Sequence, residues 1–257
     1  MKRFCVLSAC LSLLVLLVAC GQGVKQPELT AEVEPTDMTL ESLLEKHRQA
    51  LGGEEVLASV ATMQKQGSIT TPDFSDQPVT TSIVSGQSYL RQIEADDQNI
   101  LLGLDGSVAW EAATQFGGDP EPRQLGEKDL PRYRRNADLD GPLVGAEESG
   151  HQLEILGQAD DGLVVKLTDE VGAALHVTVN PDTFLITKVE ELRAFDGPLG
   201  VIKGVATLTY RAYQDVDGLQ VAFVEDYRVP EINFRQSIDW QTVETGVEFE
   251  DGFFAMP

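Results

Sequence analysis

Residues 39–67, TLESLLEKHRQALGGEEVLASVATMQKQG, hold the change of period on which the fold turns. Leu40, Leu43, Leu44 and Leu51 are spaced for one face of a helix, and Thr39 stands where a cap is needed. Gly52 and Gly53 can adopt positive φ and end that helix. Glu54 opens a second short helix, with Val56, Leu57 and Val60 on one side. After Gly67 the period becomes two. Tyr89, Arg91 and Ile93 share one face of a strand, and Leu90, Gln92 and Glu94 share the other. Alternation recurs at Leu163, Val165 and Leu167, at Leu208 and Tyr210, and at Ile232, Phe234, Ile238 and Trp240. Turn signals at Asp105-Gly106, Asp161-Gly162, Asn180-Pro181-Asp182 and Asp217-Gly218 punctuate these runs. About ten strands behind two helices imply one α+β domain, residues 38–257, built on a single antiparallel sheet that forms a barrel or wraps partly round.

The chain upstream is of a different kind. Met1-Lys2-Arg3 is a basic n-region, and Phe4 to Ala19 is an apolar run of 16 residues, short for a membrane span and suited to a signal peptide. It ends in Leu17-Val18-Ala19-Cys20-Gly21, which resembles a bacterial lipobox. In that motif the peptidase cuts before the cysteine, so 1–19 is the leader and Cys20 carries the acyl chains. Each buried methylene contributes about 0.8 kcal/mol, so two or three chains anchor a protein stably. Gly21 after the cysteine, by resemblance to sorted lipoproteins, points to the outer membrane. Residues 20–37, with Pro27, Pro35, Glu28, Glu32 and Glu34, read as a lipidated terminus and flexible tether. Its 17 residues from Gly21 to Asp37 reach at most about 56 Å.

Composition narrows the function. Of 257 residues, 42 are Asp or Glu and 19 Lys or Arg, a net charge of −23 that excludes nucleic acid as a partner. Losing the leader takes Lys2 and Arg3, leaving 17 cations against 42 carboxylates, or −25. All three cysteines lie in the first 20 residues, which removes disulfides, thiolate zinc sites and cysteine nucleophiles from the folded part. No GxGxxG, P-loop or GxSxG motif is present. His47 reads as a helix-surface or boundary residue, while His151 and His176 open strands without neighbouring ligands. Asn136-Ala137-Asp138-Leu139-Asp140-Gly141 followed by Glu147 has the spacing of a calcium loop. Pro142 and the strand-like run after Gly150 argue instead for a turn. No cofactor, metal or catalytic residue is expected. Glu127 to Asn136 can be helical and gathers Arg132, Arg134 and Arg135, a solvated face or a contact for a lipid headgroup or acidic partner.

Several segments together resemble the outer-membrane lipoprotein carrier and receptor family (LolA/LolB-like). They are residues 43–67 above, SYLRQIE at 88–94, LDGSVAW at 104–110, LDGPLVGAEESGHQLEILG at 139–157, VNPDTFLITKVE at 179–190, YQDVDGL at 213–219 and the final FFAMP. The resemblance implies a half-open antiparallel barrel wrapped around a few short helices, with an apolar cavity for acyl chains or lipids. It makes Tyr89, Arg91 and Trp110 the candidate ligand contacts, with Arg91 matching an arginine that points into the carrier's barrel. Rim placement for Arg91 and core packing for Trp110 are the plain alternatives. The expectation is a non-enzymatic lipoprotein facing the periplasm, held to the membrane through Cys20, binding a hydrophobic ligand and serving lipid or lipoprotein trafficking. The alternative is an envelope scaffold or stress sensor with a packed barrel and a protein partner.

Overall fold

The computed structural model describes residues 28–95, 98–114, 121–169, 172–197 and 200–257. The expected leader and Cys20 lie outside the described residues. Thr39, with extended backbone, accepts a hydrogen bond from the Ser42 amide at 3.2 Å and starts α1, Leu40–Leu51. Gly52, at φ 138°, stops it, its amide donating to the Arg48 and Gln49 carbonyls. A Cβ there would lie 2.4 Å from the Gly218 carbonyl oxygen, so the position needs glycine for space as well as for φ. α2, Gly53–Ser59, follows at once, with Val60 just past its end.

The strands are β1 Thr62–Thr70, β2 Gln77–Val84, β3 Ser88–Ala95, β4 Gln98–Asp105, β5 Val108–Ala113 and β6 Glu121–Gln124. After α3, Leu130–Asn136, come β7 Gln152–Ala159, β8 Gly162–Thr168, β9 Ala174–Val179, β10 Ile186–Gly197, β11 Gly200–Val216, β12 Leu219–Val229 and β13 Phe234–Thr245. The described residues thus hold thirteen strands where alternation predicted about ten. All belong to one sheet in the order β6-β5-β4-β3-β2-β1-β13-β12-β11-β10-β9-β8-β7, every neighbouring pair antiparallel. Two meanders meet at a central seam where the first and last strands pair, Ile69 opposite Ile238. The far edges, β6 and β7, do not pair with one another, so the barrel is half-open. The register slips at Gly67, where any Cβ would lie 2.2 Å from the Asp239 carbonyl oxygen.

The helices fill the inner face. Leu43 of α1 packs among Leu163, Val165, Leu175 and Val177, and Leu51 joins Met63, Leu219 and Val221. Tyr133 of α3 and Ala137, its C-cap, pack on Ile83, Tyr89, Leu104 and Ala109 of the other meander. On the outer face the C-terminal tail lies over β3–β5, bringing Phe254 against Leu90, Trp110 and Ala112.

Four expectations change. His47 is not a surface residue: the spacing Leu43, His47, Leu51 turns it inward, where it is 1% exposed. Ile232 does not continue the alternation of β13; it ends a 3-10 turn, Pro230–Ile232, and Asn233 in the left-handed region separates that turn from Phe234. The tether expected to run to residue 37 is held earlier. Glu34 pairs antiparallel with Gln158 of β7, each amide donating to the other's carbonyl at 2.8 Å. α3 is also shorter than the expected span Glu127–Asn136, beginning at Leu130 with Pro131 in its first turn.

Candidate functional site

A cavity of about 350 Å³ opens on the inner face between the sheet, α1 and α3. That is within the usual range of ligand pockets, ~300–1,000 Å³. Its apolar wall includes Met63, Ile83, Leu102, Ile186, Val189 and Leu208. Alternation puts Leu208 and Tyr210 on this wall; Ala212, with φ 53°, breaks the alternation, and the inward set resumes on Tyr213.

The polar part is built from strands on both sides of the seam. Lys65 of β1 donates to Glu225 of β12 at 2.5 Å, and the Trp240 indole of β13 donates to the same oxygen at 2.8 Å. Arg91 of β3 lies 3.5 Å from the other Glu225 oxygen, and its Nε donates to Thr81 Oγ1 of β2 at 3.0 Å. One network therefore crosses five adjacent strands. Burial alone would raise the Glu225 carboxyl; the Lys65 and Arg91 charges, with hydrogen bonds from Lys65 and Trp240, override it and hold it at about 2. Tyr89, 1% exposed, has its phenol pushed up by burial against the opposing pull of Arg91, and its hydroxyl has no hydrogen-bond partner.

α3 joins the two sides of the mouth. The Tyr133 ring meets the Tyr89 ring edge-on, with centroids 6.3 Å apart. Two residues along the helix, Arg135 reaches the opposite meander and pairs with Glu191 of β10 at 2.6 Å. Arg193 supports that glutamate at 3.4 Å and donates to the Tyr227 hydroxyl at 2.6 Å. Arg132, one turn before Arg135, lies 4.9 Å from the Tyr133 ring centroid and also lines the cavity.

Of the residues singled out in the sequence, Tyr89, Arg91, Arg132 and Arg135 come together on the cavity wall, and Arg134 is exposed outside it. Trp110 does not line the cavity. Alternation sends Ala109 inward and Trp110 outward, where its indole donates to the Phe254 carbonyl at 3.1 Å. Asp138 and Asp140 of the calcium-like stretch line the cavity, while Glu147 is exposed. Among the described residues no three His, Cys, Asp or Glu side chains are grouped to hold a metal. Burial, then the Asp140 charge, pushes the Asp138 carboxyl up to about 7, against a backbone hydrogen bond from Asp140 that lowers it. His47 lines the cavity, its Nδ1 donating to the Phe184 carbonyl at 2.7 Å and its Nε2 unpartnered; burial lowers its pKa most, that bond opposes it, and Arg48 adds a smaller lowering.

Lys65 and Glu225 were missed. The signal was there in part, since each is a charge alternating with an inward apolar or aromatic residue: Lys65 with Met63 in β1 and Glu225 with Tyr227 in β12.

No protein-family model and no curated protein matches the chain. Among solved structures, it is similar to a LolA superfamily protein of Nitrosomonas europaea, at 16% identity and TM-score 0.53, over 85% of this chain and 98% of that one. It is similar also to a DUF1329 family protein of Desulfovibrio piger, at 13% identity and TM-score 0.53, over 83% and 96%. No helix among the described residues is long and apolar enough to cross a membrane. The half-open sheet wrapped around short helices is the LolA-like fold.

Proposed function

We propose that this protein is a non-catalytic, membrane-anchored carrier that shelters the acyl chain of a lipid or lipoprotein inside its half-open barrel, on the periplasmic side of the outer membrane. The observation that carries this reading is the cavity: about 350 Å³, open at the mouth between the two meanders and walled on one side by aliphatic residues. A methylene moved from water into such a wall gains roughly 0.8 kcal/mol, so affinity grows with chain length without demanding a specific shape. The lipobox-like run ending at Cys20 supports the anchor. A solid barrel serving only as a protein scaffold would have no use for this space.

The test is solvent extraction and mass spectrometry of the chain from residue 20 onward, carrying Cys20→Ser so that no acyl chain is attached covalently. Copurifying lipid, displaced by Leu208→Trp, is expected. An empty extract, together with no uptake of a fluorescent fatty acid, removes the reading. The anchor is tested separately: Cys20→Ser in cells should move the protein from the membrane to the soluble fraction.

A further inference from the structure

We infer, resting on the acyl-chain reading, that the Tyr89, Arg91 and Arg132 corner of the cavity is an oxyanion site, and that the ligand is an anionic amphiphile with a carboxylate or phosphate head. Three observations converge there.

The first is the Tyr89 hydroxyl, buried on the cavity wall without a hydrogen-bond partner. A buried hydroxyl left unpaired is costly, and a ligand acceptor removes that cost. The second is the local balance of charge. The Arg91 guanidinium lies 5.7 Å from the Tyr89 ring centroid, and Arg132 lies on the ring that packs edge-on against Tyr89. The carboxylate facing Arg91 is Glu225, already closer to Lys65, at 2.5 Å against 3.5 Å. Among the described residues Arg132 has no carboxylate partner. The wall beside Tyr89 thus carries a buried excess of positive charge in a chain whose net charge is −23. Buried charge without a counter-charge is unfavourable, and an anionic head supplies the missing one.

The third is the placement of the other carboxyls. Asp138 and Asp140 also line the cavity, but their shifts come from burial and from one another, with no neighbouring cation pulling them down. An anionic head therefore finds its counter-charge at the arginine corner, while the tail runs along Ile83, Leu102 and Leu208. An uncharged lipid would fill the same space and leave the excess charge unmet.

The experiment compares palmitate, hexadecyl phosphate and neutral monopalmitoylglycerol by titration calorimetry on the Cys20→Ser chain from residue 20. At least one anion should bind about tenfold or more tightly than the neutral lipid, as expected for charge-assisted hydrogen bonds in a dry site. The stronger of the two anions identifies a fatty-acid or a phospholipid source. Tyr89→Phe removes only an unpaired hydroxyl, so thermal stability should hold or rise while anion affinity falls about tenfold. Arg132→Gln should lower anion affinity similarly, and both losses should exceed any change in binding of monopalmitoylglycerol. Equal affinity for charged and neutral lipids, or an anion preference untouched by Tyr89→Phe, overturns the oxyanion site and leaves the carrier reading standing. Binding of none of the three overturns both.

Discussion

Asp138 is the residue whose cost is plainest. Its carboxyl is raised to about 7 by burial and by Asp140, so the folded protein holds a proton that the unfolded chain, near 3.8, has already released. The sign follows: this group's contribution to stability is fully present below about pH 4 and is lost as the pH rises to about 7. At 1.36 kcal/mol per unit the full shift corresponds to about 4 kcal/mol, of which local relaxation leaves a part. Asp138→Asn keeps an oxygen for the Asp140 amide and removes the charge. Urea unfolding should show the variant more stable than the parent at pH 8 and equal to it near pH 4. Asp140, raised by burial, acts in the same direction. Nothing in the sequence around Asp138 announces this, because adjacent polar residues in a turn read as solvated until a cavity is known to lie behind them.

At the scale of elements, β5 and the C-terminal tail form a unit independent of the cavity. A Cβ on Gly103 would overlap the Trp110 indole at 2.1 Å, and that indole is capped by the Phe254 carbonyl. Phe249 and Phe254 pack beside it, Phe249 stacking on Phe253 and both of these meeting Phe254 edge-on, with centroids about 5 Å apart. Gly103→Ala should displace the indole, destabilise the fold by about 1–3 kcal/mol and shift tryptophan emission to the red. Ligand affinity should not change, because Trp110 faces away from the cavity. The helix pair and the shared face of Tyr89 and Arg91 were legible, since capping and alternation are local; that this face turns inward came only from the resemblance. Trp110 was not, because both Ala109 and Trp110 are apolar and alternation alone does not name the inner face. His47 needed the Phe184 carbonyl, 137 residues on, to fix its side. Lys65 and Glu225, 160 residues apart, are paired only by the seam between the first strand of the sheet and the last part of the chain. Resemblance anticipated the curled sheet that brings them together, but not which charges it would enclose.

At the scale of the whole molecule, α3 spans the mouth, packed through Tyr133 on one meander and tied through Arg135 to Glu191 on the other. Arg135→Ala frees that second attachment while leaving the Tyr89 corner intact. Ligand exchange, followed by stopped-flow displacement, should speed up several-fold, with most of the change in the dissociation rate. The edges of the sheet are handled differently. β6, Glu-Pro-Arg-Gln, is short, exposed, charged and proline-bearing, a poor template for another strand. β7 is met by Glu34 instead. That single bridge also sets how force enters the protein. A pull arriving along the chain from residue 28 is taken first by the two hydrogen bonds between Glu34 and Gln158, before it reaches α1. With the proposed anchor at Cys20, this weak link yields ahead of the packed core, lengthening the leash by a few residues under load while the cavity keeps its shape.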